Sequence, residues 1–115
     1  PELWKSFNID PRILNVIRYI ENNLGEKNEN KTLAEVIHMA PNSFSRLFRE
    51  NMGITPHQFL QKRKVAYACE LFEHSDKTIE EMATLLGFSD RYHFTRVFTS
   101  VTGVSPGLYK SRTLF

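Results

Sequence analysis

Side chains able to do covalent chemistry are few and scattered along these 115 residues. His38, His57, His74 and His93 form no i, i+4 pair and have no carboxylate or thiol at ligand spacing, so neither a metal site nor a cofactor is expected. Cys69 is the single cysteine. It has no internal disulfide partner and no neighbours that would activate a thiol, and reads as a small hydrophobe on a helix. There is no Ser/His/Asp grouping, paired-carboxylate motif or glycine-rich phosphate loop, and an enzyme is not expected. What does recur is recognition chemistry. Arg46 and Arg96 each sit in a Phe-x-Arg-x-Phe stretch. An arginine can bridge O6 and N7 of a guanine, and the residues beside these two can make single bonds to bases or touch a thymine methyl. On that ground Asn42, Ser45, Arg46, Tyr92, His93, Thr95 and Arg96 are the candidate base readers. Arg49, Lys62, Arg63, Lys64, Arg91 and Thr99 are the candidates for holding phosphates.

Both arginines belong to a duplicated unit. FSRLFRENMGITPHQF (residues 44–59) and FTRVFTSVTGVSPGLY (residues 94–109) are identical at Phe44/Phe94, Arg46/Arg96, Phe48/Phe98, Gly53/Gly103 and Pro56/Pro106. Five further pairs are close swaps, among them Ser45/Thr95 and Phe59/Tyr109. One supersecondary unit is thus used twice, too few times for a solenoid, so the duplication should serve something two-fold. Each copy divides by helical face. Phe44, Leu47, Phe48 and Asn51 point inward at i, i+3, i+4, i+7, as do Phe94, Val97, Phe98 and Val101; the polar residues and arginines take the other side.

Charge follows the same division. The net charge of +2 hides two basic blocks and one acidic one. Residues 41–64 carry Arg46, Arg49, Lys62, Arg63 and Lys64 against Glu50 alone, and residues 91–115 carry Arg91, Arg96, Lys110 and Arg112 with no acid. The acids concentrate between them, at Glu70, Glu73, Asp76, Glu80, Glu81 and Asp90. Positive charge clustered on particular elements marks a polyanion partner. A hydrophobic content of 41% with nine Phe argues for a packed core rather than disorder. No apolar run approaches the ~18 residues of a membrane span, and no leader resembles a signal peptide. No membrane partner is expected. The chain starts at Pro1 rather than Met, so a piece of a longer protein is expected.

The elements that position these residues are all helical, and no alternating strand pattern occurs. Asp10-Pro11 is a helix start, with Ile13, Val16, Ile17, Ile20 and Leu24 on one face and Gly25 as the stop. A short helix is expected over Thr32–His38, then a turn at His38–Ala40 and a helix over Asn42–Met52. Gly53 ends that helix. Thr55-Pro56 opens the longest one, running to about His74. Thr78 and Glu81 make a capping box, Gly87 breaks the helix they begin, and Asp90 caps the next as far as Thr102. Ser105-Pro106 starts a last short helix before a frayed tail. The expected fold is all-α with about seven helices. It comprises a helix-turn-helix subdomain over residues 1–53, a connecting helix over 54–75, and a second helix-turn-helix subdomain over 76–115.

The second copy, TIEEMATLLGFSDRYHFTRVFTSVTGVSPGLYKSR, resembles the signature of the AraC/XylS family of bacterial transcription regulators. The matching elements are Ile79, Ala83 and Gly87-Phe88-Ser89-Asp90, then Phe94-x-Arg96-x-Phe98, then Gly103-x-Ser105-Pro106-x-x-Tyr109. The first copy is similar to the family's weaker N-terminal motif through Leu33-Ala34, Phe44-Ser45-Arg46-Leu47-Phe48 and Gly53. The resemblance spans about residues 10–112. It implies two helix-turn-helix lobes that place their second helices in successive major grooves of one duplex, with centres about 34 Å apart. It further implies a cytoplasmic activator that works with RNA polymerase and carries a separate effector and dimerisation domain. Two positions depart from the family pattern: His38 stands where Gly is usual in the first turn, and Ala40 where a Ser cap is usual. His38 should therefore sit at positive φ, and the first lobe should be the less stable. Two rival readings are a module of an alkyl-DNA repair protein and a helical protein-interaction module. The first would need an activated thiol, which Cys69 is not; the second would lose binding with salt identically for duplex DNA and an acidic protein.

Overall fold

The computed structural model describes residues 9–113, which form seven helices and no strand. They are α1 (Pro11–Asn22), α2 (Asn30–Val36), α3 (Pro41–Met52), α4 (Pro56–His74), α5 (Ile79–Leu85), α6 (Arg91–Thr102) and α7 (Pro106–Thr113). The tail expected to fray falls on residues 114–115, outside those described. The chain divides into two compact units. One holds the chain through Asn23 and Asn28–Leu60; the other holds Leu24–Lys27 and the chain from Gln61 onward.

In the first unit α1, α2 and α3 pack around Ile13, Val16, Ile20, Leu33, Ala34, Phe44 and Phe48, all buried. Phe48 meets Phe44 and Phe59 edge-on, with ring centroids 5.9 and 5.5 Å away. Asp10 caps α1 by accepting from the Arg12 amide at 2.8 Å, and Pro11 fills a first-turn position that needs no donor. Asn51, an amide on the inward face, is satisfied from both ends. Its Oδ1 accepts from the Asp10 backbone N–H (2.7 Å) and its Nδ2 donates to the Leu47 carbonyl (2.8 Å). That removes the cost of half-burying it.

The second unit is built on Val65, Ala68, Phe72, Met82, Ala83, Leu86, Phe94, Val97 and Phe98. Phe98 lies edge-on to Phe94, Phe72 and Tyr109 at 5.6, 6.2 and 5.7 Å. Thr78 and Glu81 form the expected capping box: Thr78 Oγ1 accepts from the Glu81 amide (3.0 Å) while Glu81 Oε1 accepts from the Thr78 amide (2.8 Å). Tyr109 Oη donates to Glu73, fastening α7 to α4.

The two helix-turn-helix turns share one hydrogen-bond pattern. His38 N–H donates to Glu35 O and Met39 N–H to Ala34 O; Gly87 N–H donates to Thr84 O and Phe88 N–H to Ala83 O. This doubled closure requires a left-handed residue at the turn. Gly87 takes it at φ 77 and His38 at φ 56, the latter as the family resemblance implied. Three expectations need correcting. The second helix starts at Asn30, two residues before Thr32, without a side-chain cap from Glu29. Gly25 is not the stop of α1, which ends at Asn22 with Asn23 as its C-cap. Gly25 is required by proximity, since a Cβ there would lie 2.6 Å from the Leu85 carbonyl oxygen. Val101 does not pack inward; it is 38% exposed, on the last turn of α6 beyond the reach of the phenylalanine cluster.

Candidate nucleic-acid interface

Each unit presents the second helix of its turn with two unlike faces. On α3 the buried Phe44 and Phe48 hold one side against the core, which leaves Asn42, Arg46 and Arg49 exposed and Ser45 half-buried. Ser45 Oγ accepts from Asn30 Nδ2 at 2.8 Å. Beside these residues lies a groove of about 550 Å³ that Arg46 and Arg49 share with Thr55, His57 and Glu50. Among the described residues neither Arg46 nor Arg49 has an ion pair or hydrogen-bond partner. The helix starts from Ala40, which offers no side-chain acceptor.

On α6, Phe94, Val97 and Phe98 take the buried side. Tyr92 is 63% exposed, Arg96 and Thr99 are exposed, and Thr95 and His93 are half-buried. The His93 ring stands edge-on to Phe88 at 5.2 Å, and its Nδ1 lies 3.4 Å from Ser89 Oγ. Asp90 caps the helix by accepting from the His93 amide at 2.8 Å. Arg91 is already engaged: one amino group donates to Tyr92 Oη (3.2 Å), the guanidinium covers the Tyr92 ring at 5.0 Å, and Glu80 is 3.5 Å away. Arg96 has no partner among the described residues.

The basic run on α4 separates by depth. Lys62 is exposed and Arg63 half-buried. Lys64 departs from its companions: it is 8% exposed, its ammonium 5.0 Å over the Phe88 ring, and burial pushes its pKa below the usual lysine value. A charge held there does not stand on the surface where a phosphate backbone would run. The sequence offered a sign of this, because Leu60, Lys64, Ala68 and Phe72 recur every four residues and all four are buried. Asn30 and His57 were not singled out beforehand. His57 follows Pro56 with no distinguishing pattern, and Asn30 reaches Ser45 only through the tertiary fold. Among the described residues no group of His, Cys, Asp and Glu could hold a metal, and no helix is long and apolar enough to cross a membrane.

Two helix-turn-helix units, each with a core-anchored second helix and an arginine on its outer face, define a nucleic-acid-binding fold. A family profile described as "Helix-turn-helix domain" matches residues 33–112. The chain belongs to the AraC/XylS family of DNA-binding transcription regulators, which are not enzymes. It is 35% identical over 92 residues to "Probable transcriptional regulator LumQ" of Photobacterium leiognathi, covering 80% of this chain and 37% of that protein. It is 31% identical over 94 residues to the MmsAB operon regulatory protein of Pseudomonas aeruginosa, covering 82% of this chain and 31% of the relative. The chain therefore spans about a third of the length of these relatives. Among solved structures it resembles the DNA-binding domain of AdpA in complex with a target DNA (TM-score 0.83, 30% identity, 88% of this chain and 91% of that one). The C-terminal domain of AraT, a response regulator from Geobacillus stearothermophilus, has the same fold (TM-score 0.88, 24% identity, 93% and 89% covered).

Proposed function

We propose that this chain reads duplex DNA sequence-specifically, with α3 and α6 entering two successive major grooves. One observation carries the reading. Arg46 and Arg96 occupy matching places in the two copies, opposite a buried phenylalanine pair, and neither has a partner among the described residues. A guanidinium left unpaired in the free chain keeps its fork of donors for guanine O6 and N7. Asn42, Ser45, Tyr92, His93 and Thr95 flank the two arginines as further base readers. Arg49, Lys62, Arg63, Arg91 and Thr99 are assigned to phosphates, with Arg91 leaving Glu80 to make its contact; Lys64, being buried, is not. In this reading residues 1–53, apart from Leu24–Lys27, form one reading lobe, 54–75 the connecting helix and 76–115 the second lobe. The DNA complex of AdpA supports it. The share of the relatives' length that lies outside this chain supports a separate effector and dimerisation domain. A 27% identical relative, the transcriptional activator RhaS of Escherichia fergusonii, supports a role in activating transcription, which we assign to the cytoplasm and to contact with RNA polymerase.

The test is selection of binding sites from random duplexes, followed by titrations of Arg96→Ala and Lys62→Ala on the selected and a scrambled site. Arg96→Ala should cost ~1–3 kcal/mol on the selected site and flatten preference at one or two base pairs. Lys62→Ala should weaken both duplexes alike and make the salt slope shallower by about one unit. Inserting about five base pairs between the two halves of the site, half a helical turn, should abolish joint binding. Equal losses on both duplexes for Arg96→Ala would make Arg96 a phosphate contact and remove the reading of bases.

A further inference from the structure

The hydroxyl of Ser45 is held differently from three others at or near helix ends in this chain. Ser75, Thr102 and Ser111 return their protons to carbonyls of the preceding turn, those of Leu71, Phe98 and Leu108, at 2.7, 2.9 and 2.9 Å. Such back-bonding uses up the donor. Ser45 makes no bond of that kind among the described residues. Instead it accepts from Asn30 Nδ2 at 2.8 Å, from the first residue of α2. A serine has one O–H and two lone pairs. With a lone pair engaged by the amide and no carbonyl behind it taking the proton, the O–H is left to point away from Asn30, out of the face that carries Arg46 and Arg49.

We propose that Asn30 is a specificity-determining positioning residue: by donating to Ser45 Oγ it fixes that hydroxyl as an outward donor, which reads an acceptor on a base edge. The proposal rests on the DNA reading above. In the major groove the acceptors are guanine N7 and O6, adenine N7 and thymine O4, whereas cytosine offers only its N4 donor. Asn30 therefore disfavours cytosine at the place Ser45 reads, without touching DNA itself. The second copy is an internal contrast. There the first residue of the corresponding helix is Ile79, which has no donor to give, and no hydrogen bond ties Thr95 among the described residues. Its hydroxyl is free to turn and should tolerate donors and acceptors alike. The two reading helices thus differ in selectivity at the Ser45 and Thr95 positions, although the two side chains are chemically close.

The experiment is binding-site selection with the chain itself and with Ser45→Ala, Asn30→Ala and Asn30→Asp, each checked by thermal melting. Ser45→Ala locates the base pair concerned by flattening it. Asn30→Ala should flatten that same position, lowering its preference about three- to ten-fold, the range of one hydrogen bond. Asn30→Asp can only accept, so it should draw the serine proton inward, leave lone pairs outward and move the preference toward bases that offer a donor. Positions flattened by Arg46→Ala or Arg96→Ala should be unaffected by either Asn30 variant, and so should the salt slope of Asn30→Ala; a merely structural role would shift all of them together. Wild-type preference retained at the Ser45 position by both Asn30 variants overturns the proposal. So does a Ser45→Ala chain with unaltered preferences, while flattening by Arg46→Ala would leave the DNA reading standing. A wild-type chain that selects no sequence overturns both.

Discussion

Ala40→Ser should stabilise this protein, and the two copies together set how much. Ala40 is exposed, sits at φ −66 and ψ 145, and contributes no side-chain bond to α3. Pro41 has no N–H and the Phe44 amide already reaches Ala40 O at 2.9 Å, so the Asn42 and Ser43 amides are the ones left to a cap. The second copy has the missing part: Asp90 accepts from the His93 amide, which stands where Ser43 stands in the first, at 2.8 Å. The Ala40 backbone is already in the extended region that cap residues adopt, so a serine needs no backbone movement to reach the Ser43 amide. The gain should be ~1 kcal/mol. With an unfolding entropy of ~2.1 cal/mol/K per residue, that raises Tm by ~4 °C if the 115 residues melt together. Calorimetric melts of three variants test the reasoning: Ala40→Ser should rise, Ala40→Gly should rise to within a few tenths of a kcal/mol of the serine, and Asp90→Ala should lose about as much as Ala40→Ser gains. A Ser variant that does not rise, beside an Asp90→Ala that falls, would mean that the first turn of α3 is satisfied in another way.

Three further outcomes follow from the geometry. Gly53 and Gly87 share a left-handed backbone, but a Cβ at Gly53 meets nothing within 4 Å while at Gly87 it would lie 2.7 Å from the Gly25 carbonyl oxygen. Gly53→Ala should cost ~1–2 kcal/mol and Gly87→Ala a further ~1–3 kcal/mol, read from denaturant midpoints; equal losses would refute the close approach. Lys64→Met should leave the salt slope of DNA binding unchanged, unlike Lys62→Ala, and a slope shallower by one unit would return Lys64 to the interface. The Thr78 amide and hydroxyl hold the Glu81 carboxyl below its ordinary pKa. Its folded value lies beneath its unfolded one, so this contribution is complete above the unfolded pKa and is lost as pH falls through the folded one. Glu81→Gln should therefore flatten part of the acid limb of a stability-versus-pH curve, and an unaltered limb would show that the carboxylate plays no part in it.

Local rules made the fold legible. Asp10-Pro11, the Thr78/Glu81 box, Asp90 and the glycines at 53 and 103 each act within four residues of themselves, and each element they announce is present. His38 at φ 56 stands apart from these, because only the family pattern, with glycine usual at that turn, points to a left-handed residue there. The failures are of range. Gly25 reads as a helix stop, but its reason for being glycine is the Leu85 carbonyl, sixty residues further on. Lys64 sits in a basic triplet that suggests a surface, while the four-residue spacing from Leu60 to Phe72 sends it inward. The Asn30–Ser45 bond joins two elements across a turn, and nothing in either residue's neighbourhood announces the other.

The division of the chain bears on how it emerges from the ribosome. Leu24–Lys27 lie early in the sequence but belong to the unit formed by residues from 61 onward. Gly25 leaves the exit tunnel sixty residues ahead of Leu85, whose carbonyl it packs against, which at ~5–20 residues per second is a wait of ~3–12 s. During that interval this loop has no place to go, although α1, α2 and α3, on either side of it, already have their own core to close. Growth from the N-terminus thus yields one unit with an undocked tether of four residues, and the second unit is completed only when the later helices recover that tether. Exchange of halves between relatives meets the same constraint: a crossover near residue 60 would separate those four residues from the unit they complete.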